Sequence, residues 1–354
     1  HSNGWNTSNV TFNWSCSDET AGVVAASVSQ TVSGEGANQT ATGACTDNAG
    51  NSASNTQNGI NIDKTAPTIS AAATTQPNAN GWYNDDVTVH FTCADSLSGV
   101  ASCPTNQVLS SEGSAVTSSA QTISDLAGNT SAASDVVTVK IDKTAPTISA
   151  AATTQPNANG WYNSNVTVHF TCADALSGLA TNACPADQVL SSEGSSVAST
   201  AQTITDLAGN TSAASNVVTV KIDKTAPVVT ITGVTNGANY PLGSVPAAGC
   251  STTDALSGVA TQATLSVTGG NADGTGSFTV TCSGAIDNAG NSNSASATYT
   301  VAYRWTGFFQ PVDNLPVINT VNAGQAIPVK FSLGGNYGLN IFAAGYPASQ
   351  KVNC

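Results

Sequence analysis

The sequence predicts an all-β protein built of short sandwiches in series, and three observations carry that reading. The stretch Ile-Asp-Lys-Thr-Ala-Pro occurs at residues 62–67, 141–146 and 222–227, so 79 residues separate Asp63 from Asp142 and 81 separate Asp142 from Asp223. A period of that size is one small domain. Apolar and polar residues alternate along run after run, as in Val10-Thr-Phe-Asn-Trp-Ser-Cys16, which marks half-buried strands. Turn residues punctuate the runs, and no helical period persists over about 11 residues. The expected division is 1–62, 63–141, 142–222 and 223–303, with a different segment at 304–354.

One recurrent strand of each early repeat faces its apolar residues inward: Val10, Phe12, Trp14 and Cys16, then Val87, Val89, Phe91 and Cys93, then Val166, Val168, Phe170 and Cys172. His90 and His169 fall on the outward phase. An acidic turn follows, at Asp18, Asp95-Ser-Leu-Ser-Gly99, Asp174-Ala-Leu-Ser-Gly178 and Asp254-Ala-Leu-Ser-Gly258. A later turn recurs at residues 47–51, 125–129, 206–210 and 287–291 as Asp-x-Ala-Gly-Asn. There Asp bonds its own backbone two residues on and Gly accepts positive φ. A last strand, with Val137, Val139 and Ile141 inward, runs into the seam, where proline fixes the backbone before the next extended run. The fourth repeat lacks the Gly-Trp-Tyr-Asn loop found at 81–84 and 160–163, and terminal repeats often diverge in this way.

Composition narrows the partners. Lys and Arg number 8 against 21 acids, for a net charge of -13. That balance excludes nucleic acid and anionic membranes and suits divalent cations. No apolar run approaches the roughly 20 residues of a membrane span, and the absence of Met reads as a processed or partial chain. Only 8% of residues are charged, which together with abundant Ser, Thr and Asn fits a secreted β-protein. The 40% of hydrophobic residues, placed with period two, oppose disorder.

Repeats of about 80 residues bury limited cores and profit from covalent staples. Eight of the nine cysteines sort into one pair per repeat: Cys16 with Cys45, Cys93 with Cys103, Cys172 with Cys184, and Cys250 with Cys282. Disulfides imply an oxidising compartment. Zinc is the competing reading, but the chain has no Cys-x-x-Cys spacing and its three histidines stand apart. Cys354 is left over, with its expected partner in flanking sequence or in another molecule.

Little suggests catalysis, and the expectation is a non-enzyme. Glu35, Glu112 and Glu193 recur in Gly- or Ser-flanked turns, where pairing with Asp18, Asp95 or Asp174 would make a glycosidase-like couple. The fourth repeat lacks the glutamate, and one active site copied along a series of domains is an odd design. Trp82-Tyr83 and Trp161-Tyr162 are the candidate glycan contacts. The plainer reading is that each Trp covers the end of a core.

These residues resemble the tandem bacterial immunoglobulin-like repeats of surface proteins and biofilm adhesins, through joints like Asp-Lys-Thr-Ala-Pro and late turns like Asp-x-Ala-Gly-Asn. The resemblance implies immunoglobulin-like sandwiches in a rod, at the cell surface or secreted, serving as an adhesin stalk or filament. It also implies calcium near the joints, carried over to Asp63, Asp142 and Asp223 at the seams and to Asp47, Asp125, Asp206 and Asp287 in the late turns. The competing reading is that each Asp only caps its own turn. The tail, with Phe309-Gln310-Pro311-Val312, Ala323-Gly324 and Pro328-Val329-Lys330-Phe331, resembles the start of a domain named for its Pro-x-Lys-Phe motif.

The ends suggest assembly. Gly81 lies 18 residues after Asp63, whereas Gly4 has three residues before it. Repeat one therefore lacks a counterpart of residues 68–73. A sandwich without that edge strand accepts one from a neighbour, giving head-to-tail self-association into a fibre, or else flanking sequence supplies it. The alternative function is a glycan-binding accessory region of a secreted enzyme.

Overall fold

The computed structural model describes residues 3–322 and 324–337, and it is all-β: among these residues every regular element is a strand. Cys354 lies outside the described residues. No helix of the described residues is long and apolar enough to cross a membrane. The chain forms two compact units, one comprising His1–Ala150, Phe170–Ala186 and Ala201–Asn216, the other Ala151–His169, Asp187–Thr200 and Val217–Cys354.

Within the first unit, repeat two shows how the alternation becomes a sandwich. Val87–Ala94 pairs antiparallel with Thr68–Ala73 on one side and with Gln107–Leu109 on the other. A second sheet joins Gly113–Thr117 to Thr138–Ile141. Val87, Val89 and Phe91 from the first sheet meet Val139 and Ile141 from the second, all buried, with Ile69, Ala71 and Val116 packed around them. His90, on the opposite phase, is exposed and bonds Asn106 at 2.8 Å. In repeat one Val10–Ser15 pairs with Ser27–Val32 alone among the described residues. Its core joins Val32, Ala41, Ile60 and Ile62 to Val10, Phe12 and Trp14. Gly43 is required here, because a Cβ on it would lie 2.3 Å from the Trp14 ring.

Within the second unit, Val166 to Val168 pair with Gln188–Leu190, and Trp161–Tyr162, Thr219–Ile222 and Gly194–Ala198 form a sheet that mirrors repeat two. Repeat four builds a larger sheet around Gly276–Asp287, which pairs with Ser292–Ala302, Val259–Thr261 and Thr264–Gly269. Its core stacks Phe278 on Tyr299 at 5.2 Å, beside Val280 and Val301.

Four disulfides close: Cys16–Cys45, Cys93–Cys103, Cys172–Cys184 and Cys250–Cys282. Their unequal spacing has a structural cause. Repeats one and four carry a long hairpin, and Cys45 and Cys282 sit on it, in Gly36–Thr46 and Gly276–Asp287. Each bond ties that hairpin to the strand region of the other sheet. In repeats two and three the corresponding segment is irregular, and buried serines replace its ladder. Ser131 donates its amide to the Ile123 carbonyl while its hydroxyl accepts from the Ile123 amide. Ser134 does the same with Gln121, and Ser212 and Ser215 repeat both pairs with Ile204 and Gln202.

After repeat four, the Tyr303 hydroxyl donates to Asp273 at 2.8 Å. Phe308–Phe309 then pairs with Lys330–Phe331, and Trp305 packs on Phe308 and Phe331. The Asp273 bond holds the Tyr303 phenol above its ordinary range. A raised pKa means that this bond stabilises the fold below the ordinary tyrosine pKa and is lost as pH rises through the higher folded value. Tyr303 should therefore ionise late in an absorbance titration, together with Tyr83 and Tyr162, and Tyr303→Phe should shrink that late phase by one tyrosine; a Tyr303→Phe titration identical in its late phase contradicts the contact.

Candidate metal centre

The seam aspartates are placed by the strands that end on them. Ile62, Ile141 and Ile222 are fully buried as the last core residues of their repeats, and Asp63, Asp142 and Asp223, next in the chain, are equally inaccessible. Their amides donate to the carbonyls of Asn6, Tyr83 and Tyr162 at 2.9 Å. Those partners belong to the short Trp-containing segments, which run parallel to the last strand: Trp5 and Asn6 against Asn61 and Ile62, Tyr83 against Ile141, and Trp161 and Tyr162 against Lys221 and Ile222.

This placement answers the glycan expectation. Trp82, Trp161 and Tyr162 are buried, and Lys140 and Lys221 each set an ammonium 5.8 Å from the ring of Trp82 and Trp161. The hydroxyls of Tyr83 and Tyr162 donate to the carbonyls of Thr75 and Thr154 at 2.9 Å, and burial pushes both phenols up. Trp82, Trp161 and Tyr162 are thus covered, while Tyr83 is half-buried. They hold the seam strand in position.

Each seam aspartate meets two others. One carboxylate oxygen from each of Asp63, Asp95 and Asp125 lies within 4.8 Å of the others, and the groups Asp142, Asp174, Asp206 and Asp223, Asp254, Asp287 repeat the arrangement. In every group the seam and late-turn acids are buried and the middle one is half-buried. Asp63 accepts the amides of Thr65 and Ser98 through its two oxygens. Asp125 accepts the amides of Gly128 and Asn129 and the Asn129 side chain. Asp95 accepts from Leu97 and Gly99 through Oδ2, and among the described residues nothing donates to its Oδ1. The free oxygen recurs at Asp174 and Asp254, whose bonds all go to Oδ1.

Sequence reasoning did not assign Asp95, Asp174 and Asp254 to this centre, because capping an Asp-x-Leu-Ser-Gly turn already accounts for them. Their recurrence in every repeat that follows a seam was the available signal. Asp47 departs from the expected set in the other direction. It is half-buried and joins no group among the described residues. Its carboxylate is held below its ordinary range by the side chain of Asn51 first, then by backbone amides.

The recurrent glutamates also find their role at the seam. Glu35 accepts the Lys64 amide and the Thr65 hydroxyl; Glu112 does so for Lys143 and Thr144, and Glu193 for Lys224 and Thr225. The lysine ammonium reaches back to Ser33, Ser110 or Ser191 at 2.6 to 2.7 Å. A glutamate is thus present wherever Lys-Thr follows, which explains why repeat four lacks one. Asp86 pairs with Lys143 at 2.8 Å and holds its ammonium above the usual range, where the other joints use Asn9 and Asn165. Asn129 closes the joint by donating to the carbonyls of Asp63 and Thr65, as Asn210 and Asn291 do one and two repeats later.

Three carboxylates this close repel one another, on the order of 3 kcal/mol per pair at an effective dielectric near 20. A divalent cation reverses the sign of that balance. All the donors are hard oxygens, which suits calcium or magnesium rather than zinc, and calcium's six to eight ligands would need carbonyl or water oxygens besides the acids. The acidic groups are thus chemically competent to hold a metal ion.

No protein-family model matches this chain. No curated protein matches it either. Among solved structures, a calcium-stabilised adhesin with which an Antarctic bacterium reaches out and binds ice is similar over 85% of this chain and 95% of that one, at 16% identity and a TM-score of 0.29. A likeness of that strength decides nothing about this chain's function.

Proposed function

We propose that the chain is a non-enzymatic extracellular structural protein of the adhesin-stalk type, a series of immunoglobulin-like sandwiches whose joints calcium stiffens. The observation that carries this reading is the threefold recurrence of one acid group at one place, where the last strand of a repeat enters the next. A cation there would tie Asp63 to Asp95 and Asp125, and so couple consecutive repeats through more than the peptide. The four disulfides support an oxidising, extracellular setting. The hydrogen bonds of Glu35, Glu112 and Glu193 to the seam give these acids a structural use, which supports the non-enzymatic reading.

Calorimetric titration of the chelator-stripped chain should give three calcium ions per molecule. Replacing Asp95, Asp174 and Asp254 together by Asn should abolish them, because the turn bonds survive on one oxygen while the ligand oxygen goes. Retention of all three ions in that variant would sink the assignment. The outer edge of Val10–Ser15, unpaired among the described residues, is where we place self-association: a strand like Thr68–Ala73 added there would extend the sheet. Filaments in electron micrographs at high protein concentration support that assembly, and dispersed single molecules at the same concentration oppose it.

A further inference from the structure

The late turn of each following repeat receives a second contact that involves no acid. Asn80, in the loop before Trp82, donates its side-chain amide to the Leu207 carbonyl at 2.9 Å, and Asn78 donates to the carbonyls of Leu207 and Ala208 at 2.9 and 3.0 Å. One joint further on, Asn157 and Asn159 donate to the Asn288 carbonyl at 2.9 and 3.2 Å. At the first joint Asn3, in the same place before Gly4-Trp5, donates to Leu126 at 3.3 Å. These loops and the seam are separate segments of the preceding repeat. The late turn therefore grips its predecessor twice: its Asn holds the seam, and the carbonyl after its Asp holds the Asn-Gly loop.

Asn78 and Asn157 are built for this use. Their Oδ1 atoms accept the amides of Asn80 and Trp82, and of Asn159 and Trp161, which fixes each amide group with its NH2 turned outward. In repeat four Asn236, in the corresponding Asn-Gly, turns back and accepts the Thr298 amide of its own repeat.

We propose that these asparagines form a metal-independent clamp, so that losing calcium turns each joint into a hinge rather than a free swivel. The inference rests on the calcium reading above for the cation's part and on the hydrogen bonds alone for the clamp. A joint attached at the seam and at the clamp keeps one axis of rotation, the line through the two attachments. The acid group supplies the further constraint that stops rotation about it.

The test is small-angle scattering of the full chain, with and without chelator. The variant is Asn78→Asp, Asn80→Ala, Asn157→Asp and Asn159→Ala: aspartate keeps the loop bonds at Oδ1 and loses the donor. A milder variant, Asn80→Ala with Asn159→Ala, guards against misfolding or added charge, and near-ultraviolet circular dichroism checks both. In chelator each variant should be more flexible than the wild type, with a broader distance distribution and a larger radius of gyration, the fourfold change exceeding the twofold. Equal scattering of wild type and both variants in chelator overturns the clamp. If chelator leaves the wild type unchanged, the calcium reading fails, and the clamp is still judged by variants against wild type.

Discussion

Asp174→Asn should lower the melting temperature in excess calcium and leave it unchanged or raised in chelator. The substitution is nearly isosteric, and the bonds to Leu176 and Gly178 reach Oδ1 alone. It removes one charge and one ligand oxygen from the group with Asp142 and Asp206. With calcium at about 100 times its dissociation constant, a lost site forfeits about 2.7 kcal/mol of linkage. For a repeat of this size that is on the order of 10 °C. Without calcium the same change relieves repulsion among three carboxylates, so its effect should vanish or reverse. Paired thermal scans decide the matter. An equal loss in both conditions would mean that Asp174 only caps its turn and that no cation is involved.

The second large effect should come from the staples, and it should differ between repeats. Replacing Cys250 and Cys282 by Ser opens a bridge of sequence separation 32, whereas Cys93 and Cys103 close one of 10. Chain entropy assigns about 3.7 and 2.7 kcal/mol to these losses. Burial widens the gap. Cys282 is fully buried in Gly276–Asp287, with the Gly249 carbonyl 3.7 Å from its sulfur, so a serine hydroxyl there is taken out of water for one distant acceptor. Cys103 lies in an exposed irregular segment. Denaturant titration should show the repeat-four variant losing clearly more stability than the repeat-two variant; the reverse order would refute the view that the long bridge joins sheets and the short one pins a loop.

Much of the strand content was legible in the residues because alternation is local. Val87, Val89 and Phe91 had to share one face, and the face holding three apolar side chains had to be the buried one. The half-buried Val10, Phe12 and Trp14 follow the same logic. The irregular stretch of repeats two and three was less legible, because a serine at 131 or 134 reads as an exposed turn residue until its hydroxyl replaces a ladder bond.

The acidic groups at the seams were half legible. Asp63, Asp142 and Asp223 stood out through a repeated seam, and Asp125, Asp206 and Asp287 through a repeated turn. Asp95, Asp174 and Asp254 were hidden by a sufficient local explanation, and Asp47 was included because its turn is identical in sequence to one that does join a group. For the aromatic pair Trp82-Tyr83 residue type left two readings open, and the burial of Trp82 near Lys140 agrees with the plainer one, cover for the end of a core.

By itself, then, the sequence determined the strands, the turns, the period and the acids available at each seam, because those follow from residue type and spacing along one segment. Only the tertiary structure decided which three acids converge, that the glutamates serve Lys-Thr, and that Asn78 and Asn80 reach across 129 and 127 positions to Leu207. Convergence depends on where a repeat's last strand delivers its final residue against the loops of the next. That is a property of packed sheets, and no window of neighbouring residues contains it.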